Sequence, residues 1–255
     1  MIQNITRRQW LTLGVFALAD FCSAVCVSLQ APFYPQEAEK KGATPTEYGL
    51  VFGIFELTVF IASPLLGKYL SRLGAKRVFN AGILTTGTCS ILFGLLDGIQ
   101  DRTAFIGLSL LIRIVEAVGN SGFLTASFSI IAKEFPENVA TMFAALETFF
   151  GVGLIVGPTV GGVLYQYGGY KLPFAVLGTL LICAAILTHF VLPGRYDEND
   201  ANSSHGQEKG LLDLLKVPSI ALAAYSILGA SLTIGYVQAS YLIHRQLVSD
   251  DIFFK

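Results

Sequence analysis

Seven times along this chain a stretch of about twenty residues runs nearly free of charge, the length a helix needs to cross a bilayer. Inside hydrocarbon every backbone N–H and C=O must find its partner within the protein, so spans of this kind have to be helices. An all-α membrane protein follows. Composition agrees: 53% of the residues are hydrophobic and 14% charged, with a mean hydropathy of +0.61. Ordinary soluble domains carry nearer about 25% charged residues.

The spans fall at residues 10–30, 48–70, 78–96, 104–131, 141–165, 172–192 and 220–243. Pro32 and Pro35, followed by a polar run at 36–41, are expected to close the first. Asp97-Gly98, Pro136, Gly168-Gly169 and Pro193-Gly194 punctuate later ones. Residues 195–210 are polar, acidic and poor in hydrophobes, the composition of a linker. The expected organisation is therefore an amino-terminal six-helix bundle (1–193), a cytosolic linker (194–216), and a seventh transmembrane helix with an atypical tail (217–255). The start carries Arg7 and Arg8 but no small-residue cleavage site, so the first span reads as an uncleaved anchor. Cys22, Cys26, Cys89 and Cys183 all lie in apolar spans and read as packing residues rather than a disulfide framework.

Lysine and arginine set the orientation. With the N-terminus in the cytosol, that side collects Arg7, Arg8, Lys68, Arg72, Lys76, Arg77, Lys133, Arg195, Lys209 and Lys216. The other side collects Lys40, Lys41, Arg102, Lys171, Arg245 and Lys255, so ten face six and the bias favours a cytosolic N-terminus. Both glycosylation patterns, at Asn4 and Asn202, then face the cytosol and stay unmodified.

Five ionisable residues lie within spans: Asp20, Glu56, Arg113, Glu116 and Glu147. A charge near the bilayer centre costs about 2.5–3.5 kcal/mol on insertion scales, so such groups turn toward protein or a wet cavity. In the fourth span Ser109, Arg113, Glu116 and Asn120 fall on one side at helical pitch, and Arg113 can reach Glu116 three residues on. The stripe is either a structural ion pair that fixes helix rotation or the lining of a polar pathway. Asp20 shares a face with Ser23 and Gln30. Glu56 shares one with Gly49, Ser63 and Gly67, which reads as a packing seam. An acid-rich cavity prefers cations. His189 and His244 sit at span ends and read as interfacial.

The fifth span adds Gly153, Gly157 and Gly161 at four-residue spacing, a small-residue seam that lets another helix approach closely in lipid. Pro158 interrupts the same helix and should bend it. Together with Glu147 these residues suit a helix that rocks around a polar pathway; the alternative is a tightly packed membrane helix with no moving part. No phosphate-cradling glycine loop, metal-ligand cluster or nucleophile–base set is present, so no catalytic residue, metal or cofactor is expected, and no nucleic-acid partner.

These residues carry a family resemblance. Residues 67–77, with Gly67, Lys68, Arg72, Gly74, Lys76 and Arg77, resemble the second-to-third-helix loop of the major facilitator superfamily, except that Ser71 stands where an aspartate is usual. Residues 113–119 resemble its fourth-helix arginine motif, and 153–162 its fifth-helix antiporter motif. Within the superfamily, residues 32–42, 138–141 and 146–149, with Asp20, are similar to the vesicular amine transporters, most of all their polyamine-carrying branch. The likeness covers residues 10–232, and Gln238 stands near where relatives often place a seventh-helix acid.

The resemblance implies the amino-terminal half of a major facilitator bundle plus one helix. It implies proton-coupled antiport of an organic cation, a polyamine or a monoamine, across an intracellular vesicle membrane. Efflux of drug-like cations at the plasma membrane is the alternative. Asp20, Glu116 and Glu147 would be proton or cation carriers tuned by Arg113, with Asn120 on the pathway and Gly153, Gly157, Pro158 and Gly161 in the conformational seam. A complete member rocks two six-helix halves about a midplane site, so about five more helices would be needed. The chain is accordingly expected not to transport alone: it is either unstable and degraded, or acts by pairing with another copy or with a full-length relative. Its polar faces at Asp20, Arg113 and Glu116 are then expected to lack cover.

Overall fold

The computed structural model of the protein describes residues 6–192 and five isolated later positions, Pro218, Ala221, Leu222, Tyr225 and Gly229. The expected linker and tail lie outside the described residues, as does the seventh span apart from those positions. Six helices follow one another: α1 (Arg7–Lys40), α2 (Pro45–Leu73), α3 (Ala75–Leu95), α4 (Arg102–Glu134), α5 (Val139–Gly168) and α6 (Lys171–Val191). A 3-10 turn at Leu96–Gly98 ends α3. All six are long and apolar enough to cross a membrane, which bears out the all-α class. They belong to one compact unit, residues 1–205; a second begins at Gly206.

Local chemistry sets the ends. Thr6 caps α1 with Gln9 in a reciprocal pair, and Gln9 Nε2 reaches over to the Glu134 carbonyl at 2.9 Å, tying the start of α1 to the end of α4. Pro45 stands at the first turn of α2, where its missing N–H costs nothing. Gly74 turns α2 into α3 at φ +87°, a conformation that a side chain would strain. Asp101 accepts from the Ala104 N–H at 2.7 Å and opens α4.

The main packings pair α3 with α4 and α6, α1 with α5 and α6, and α2 with α4. Apolar attraction between helices is weak in lipid, so close backbone approach has to supply the contact. Glycine permits it three times. A Cβ on Gly82 of α3 would meet the Gly119 carbonyl of α4 at 2.5 Å, and one on Gly87 would meet the Gly178 carbonyl of α6 at 2.9 Å. The third case is the α5 seam: a Cβ on Gly153 would meet the Phe21 carbonyl of α1 at 2.7 Å, one on Gly157 would overlap Ser28, and one on Gly161 would overlap Leu29.

One boundary departs from expectation. Pro32 and Pro35 do not close the first span; α1 runs through both to Lys40. Packing overrides the two missing donors. Tyr34 is fully buried against Phe52, Phe93 and Phe105, and Phe33 stacks on Tyr165 at 4.9 Å. The polar run beyond is structured too: Lys41 Nζ donates to the carbonyls of Asp97 and Ile99 at 2.8 and 2.7 Å and lies 5.0 Å from the Phe105 ring centre. The α2 seam expected around Glu56 is met only at Gly67, where a built Cβ would touch Thr125 of α4 at 3.7 Å. Gly49 has nothing within 4 Å of a built Cβ, and Glu56, Gly49 and Gly67 are exposed.

Candidate functional site

The fourth-helix stripe faces inward. Arg113 and Glu116 are 2% and 0% exposed, and Arg113 Nη1 donates to Glu116 Oε2 at 3.1 Å. Three rings from two other helices surround the guanidinium, Phe55 at 4.7 Å and Phe52 and Phe93 each at 5.4 Å. Cation–π attraction and a partner carboxylate together offset the desolvation of the charge. Across the helix interface Gln30 Nε2 of α1 donates to Glu116 Oε1 at 3.1 Å, and Ser23 Oγ donates to Asn120 Oδ1 at 3.2 Å. The stripe therefore bonds α1 to α4. Arg113 Nε and Gln30 Oε1 remain buried without a hydrogen-bond partner.

Asp20 and Glu147 meet elsewhere. Asp20 on α1 is 4% exposed, and its Oδ1 has no donor. It lines a cavity of about 110 Å³ together with Glu147 of α5, Ser127 and Phe128 of α4, and Phe150. Ser127 Oγ is likewise buried without a partner. Asp20, buried, and Glu147, exposed on α5, therefore border one small space with aromatic walls, whose chemistry suits a cation.

The sequence-derived candidates thus form two groups. Asp20 and Glu147 share the cavity, while Arg113, Glu116 and Asn120 form the network at the α1–α4 interface. Gly153, Gly157 and Gly161 place α5 against the helix that carries Asp20, and Pro158 lies on the exposed side of α5. The expectation that the polar faces lack cover is overturned: Asp20, Arg113 and Glu116 are all buried, with the named neighbours on α1 to α4 about the ion pair. Sequence reasoning missed the aromatic cage on Arg113 and the role of Ser127, since both are contributed across helices. Phe52 and Phe55, three apart on α2, were the one local signal.

Membrane-length helices that bury an ion pair and gather acids about a cavity make a multi-pass membrane bundle. Residues 16–249 match the Major Facilitator Superfamily, seventeen residues beyond where the likeness was expected to fade. The chain belongs to that superfamily and is of transporter rather than enzyme type. It is 41% identical over 233 residues to the MFS-type transporter SLC18B1 of Homo sapiens, covering 91% of this chain and 50% of that protein. The Mus musculus protein of the same name is 39% identical over 235 residues, 92% of this chain and 50% of that one. Multidrug resistance protein 1 of Bacillus subtilis (strain 168) is 28% identical over 204 residues, 78% and 50% respectively. The chain spans about half the length of the curated relatives it matches.

Proposed function

We propose that this bundle serves proton-coupled antiport of organic cations, polyamines or monoamines, into intracellular vesicles. The observation that carries the reading is the cavity shared by Asp20 and Glu147, with a buried carboxylate oxygen that no protein donor satisfies. A proton or an ammonium group can satisfy that oxygen, but not both at once. Binding the cation therefore displaces a proton, which is the elementary step of exchange. Phe128 and Phe150 offer ring faces to the cation. Arg113, Glu116 and Asn120 act in this reading as positioning residues that hold α4 against α1. The glycine seam lets α5, and Glu147 with it, shift along α1.

Efflux of drug-like cations at the plasma membrane is the second reading, favoured by the likeness to Multidrug resistance protein 1. Equilibrium binding of labelled spermidine and labelled tetraphenylphosphonium to the protein in nanodiscs separates the two. The proposal expects saturable spermidine binding that weakens as pH falls and is weaker in each of D20N and E147Q. Tighter binding of tetraphenylphosphonium than of spermidine supports the second reading. Binding that ignores both pH and the two substitutions contradicts the carboxylate site in either.

A further inference from the structure

A larger space lies on the outer side of the bundle. Between α2, α3 and α4 runs an apolar groove of about 650 Å³ whose lining includes Gly82, Gly119 and Gly122. It exists because α3 and α4 touch backbone to backbone at Gly82 and Gly119, where no side chain projects. Leu66 and Leu73 of α2 and Val118 of α4 are among its walls. Arg77 lines its lower end, at the turn from α2 to α3. From Arg77 to Thr85, the innermost α3 residue in the lining, is eight helical steps, a rise of about 12 Å. One leaflet of hydrocarbon is about 15 Å deep.

Arg77 is the one cation in that lining, and the turn that carries it is basic in sequence. Lys68, Arg72, Lys76 and Arg77 fall between Gly67 and Val78, and no acid does. A second groove of nearly the same size, about 640 Å³, runs between α1 and α5 past Trp10, Leu13 and Phe21, and no cation lines it. The two grooves offer nearly the same apolar room, and of the two only the first has a cation in its lining, while Arg7 and Arg8 precede Trp10 at the second.

We propose that the α2–α3–α4 groove binds one acyl chain of an anionic glycerophospholipid, its headgroup phosphate held at the basic turn around Arg77. The site stands apart from the cation cavity and does not depend on the function proposed above. Near an anionic surface each lysine or arginine contributes about 1 kcal/mol, so loss of one cation lowers retention about fivefold.

Native mass spectrometry of the protein released from nanodiscs with equal phosphatidylcholine and phosphatidylglycerol tests this. One phosphatidylglycerol should be retained in preference to phosphatidylcholine. R77Q should lower that preference about fivefold. V118F, which fills the groove from an exposed position without changing charge, should abolish it, while L18F in the second groove should leave it intact. A phosphatidylglycerol with a photoreactive acyl end should label peptides of α3 and α4 in wild type, which locates the site even if a variant fails to fold. Preference lost in R77Q but kept in V118F would mean surface charge alone and overturn the groove. So would labelling elsewhere, or a dimer of the chain that V118F dissolves.

Discussion

Gln30 on α1 donates its side-chain amide to Glu116 on α4 at 3.1 Å, and the same carboxylate accepts from Arg113 at 3.1 Å. One buried acid thus joins a cation on its own helix to an amide on a neighbour. The geometry makes Arg113 and Glu116 a single structural unit.

Removing one half of a buried ion pair costs about 3–5 kcal/mol, because the remaining charge is left in low dielectric. R113A should therefore unfold at markedly lower temperature than wild type, and R113M/E116Q should recover part of the loss. Cys22, Cys26 and Cys89 are buried and Cys183 is exposed, so in a Cys183→Ser background a thiol-reactive dye reports the transition directly. Equal melting of R113A and wild type would dismiss the unit.

The α1–α5 seam makes a graded prediction. A methyl on Gly153 meets the Phe21 carbonyl at 2.7 Å, and backbone cannot swing aside, so G153A should cost about 1–3 kcal/mol. At Gly157 the first obstacle is the Ser28 hydroxyl, which is side chain. S28A should therefore rescue G157A in part but leave G153A unchanged. Gly162 has nothing within 4 Å of a built Cβ, and G162A serves as the neutral control. Equal thermal shifts for all three glycines would refute the seam.

How far these features could be read in the sequence depends on whether they are local. Arg113 and Glu116 pair along one helix, and Gly153, Gly157 and Gly161 repeat every fourth residue, so helical pitch alone placed them on common faces. Which helix each face meets is a tertiary fact. Gln30 as partner of Glu116, the aromatic cage on Arg113 and the Gly82–Gly119 contact leave no periodic trace. The reading of Pro32 and Pro35 as a stop failed for a related reason. Local propensity was outweighed by Tyr34 and Phe33, whose ring contacts come from four other helices.

Orientation is checked by accessibility. From the bias of basic residues the α4–α5 turn is expected in the cytosol and the turn before α4 on the opposite side. A cysteine at Glu137 should react with an impermeant maleimide only once that reagent reaches the cytosolic face, and one at Gln100 only from the other. The cysteine-free protein carries each in turn. The reverse pattern would invert the topology, and labelling of both from one side would contradict six alternating spans.

Exchange at Asp20 and Glu147 is tested most directly by counting the protons released when spermidine binds. Isothermal titration of the protein in nanodiscs, in two buffers of different ionisation enthalpy, gives that number. Because the cation and the proton compete for the same two carboxylates, wild type should release protons on binding. D20N and E147Q should each release fewer, and the double variant none. Affinity should weaken as pH falls, since protons and the cation compete for the same cavity. Spermidine binding without proton release in wild type, or unchanged release in D20N/E147Q, would contradict the assignment of these two acids as the exchange site.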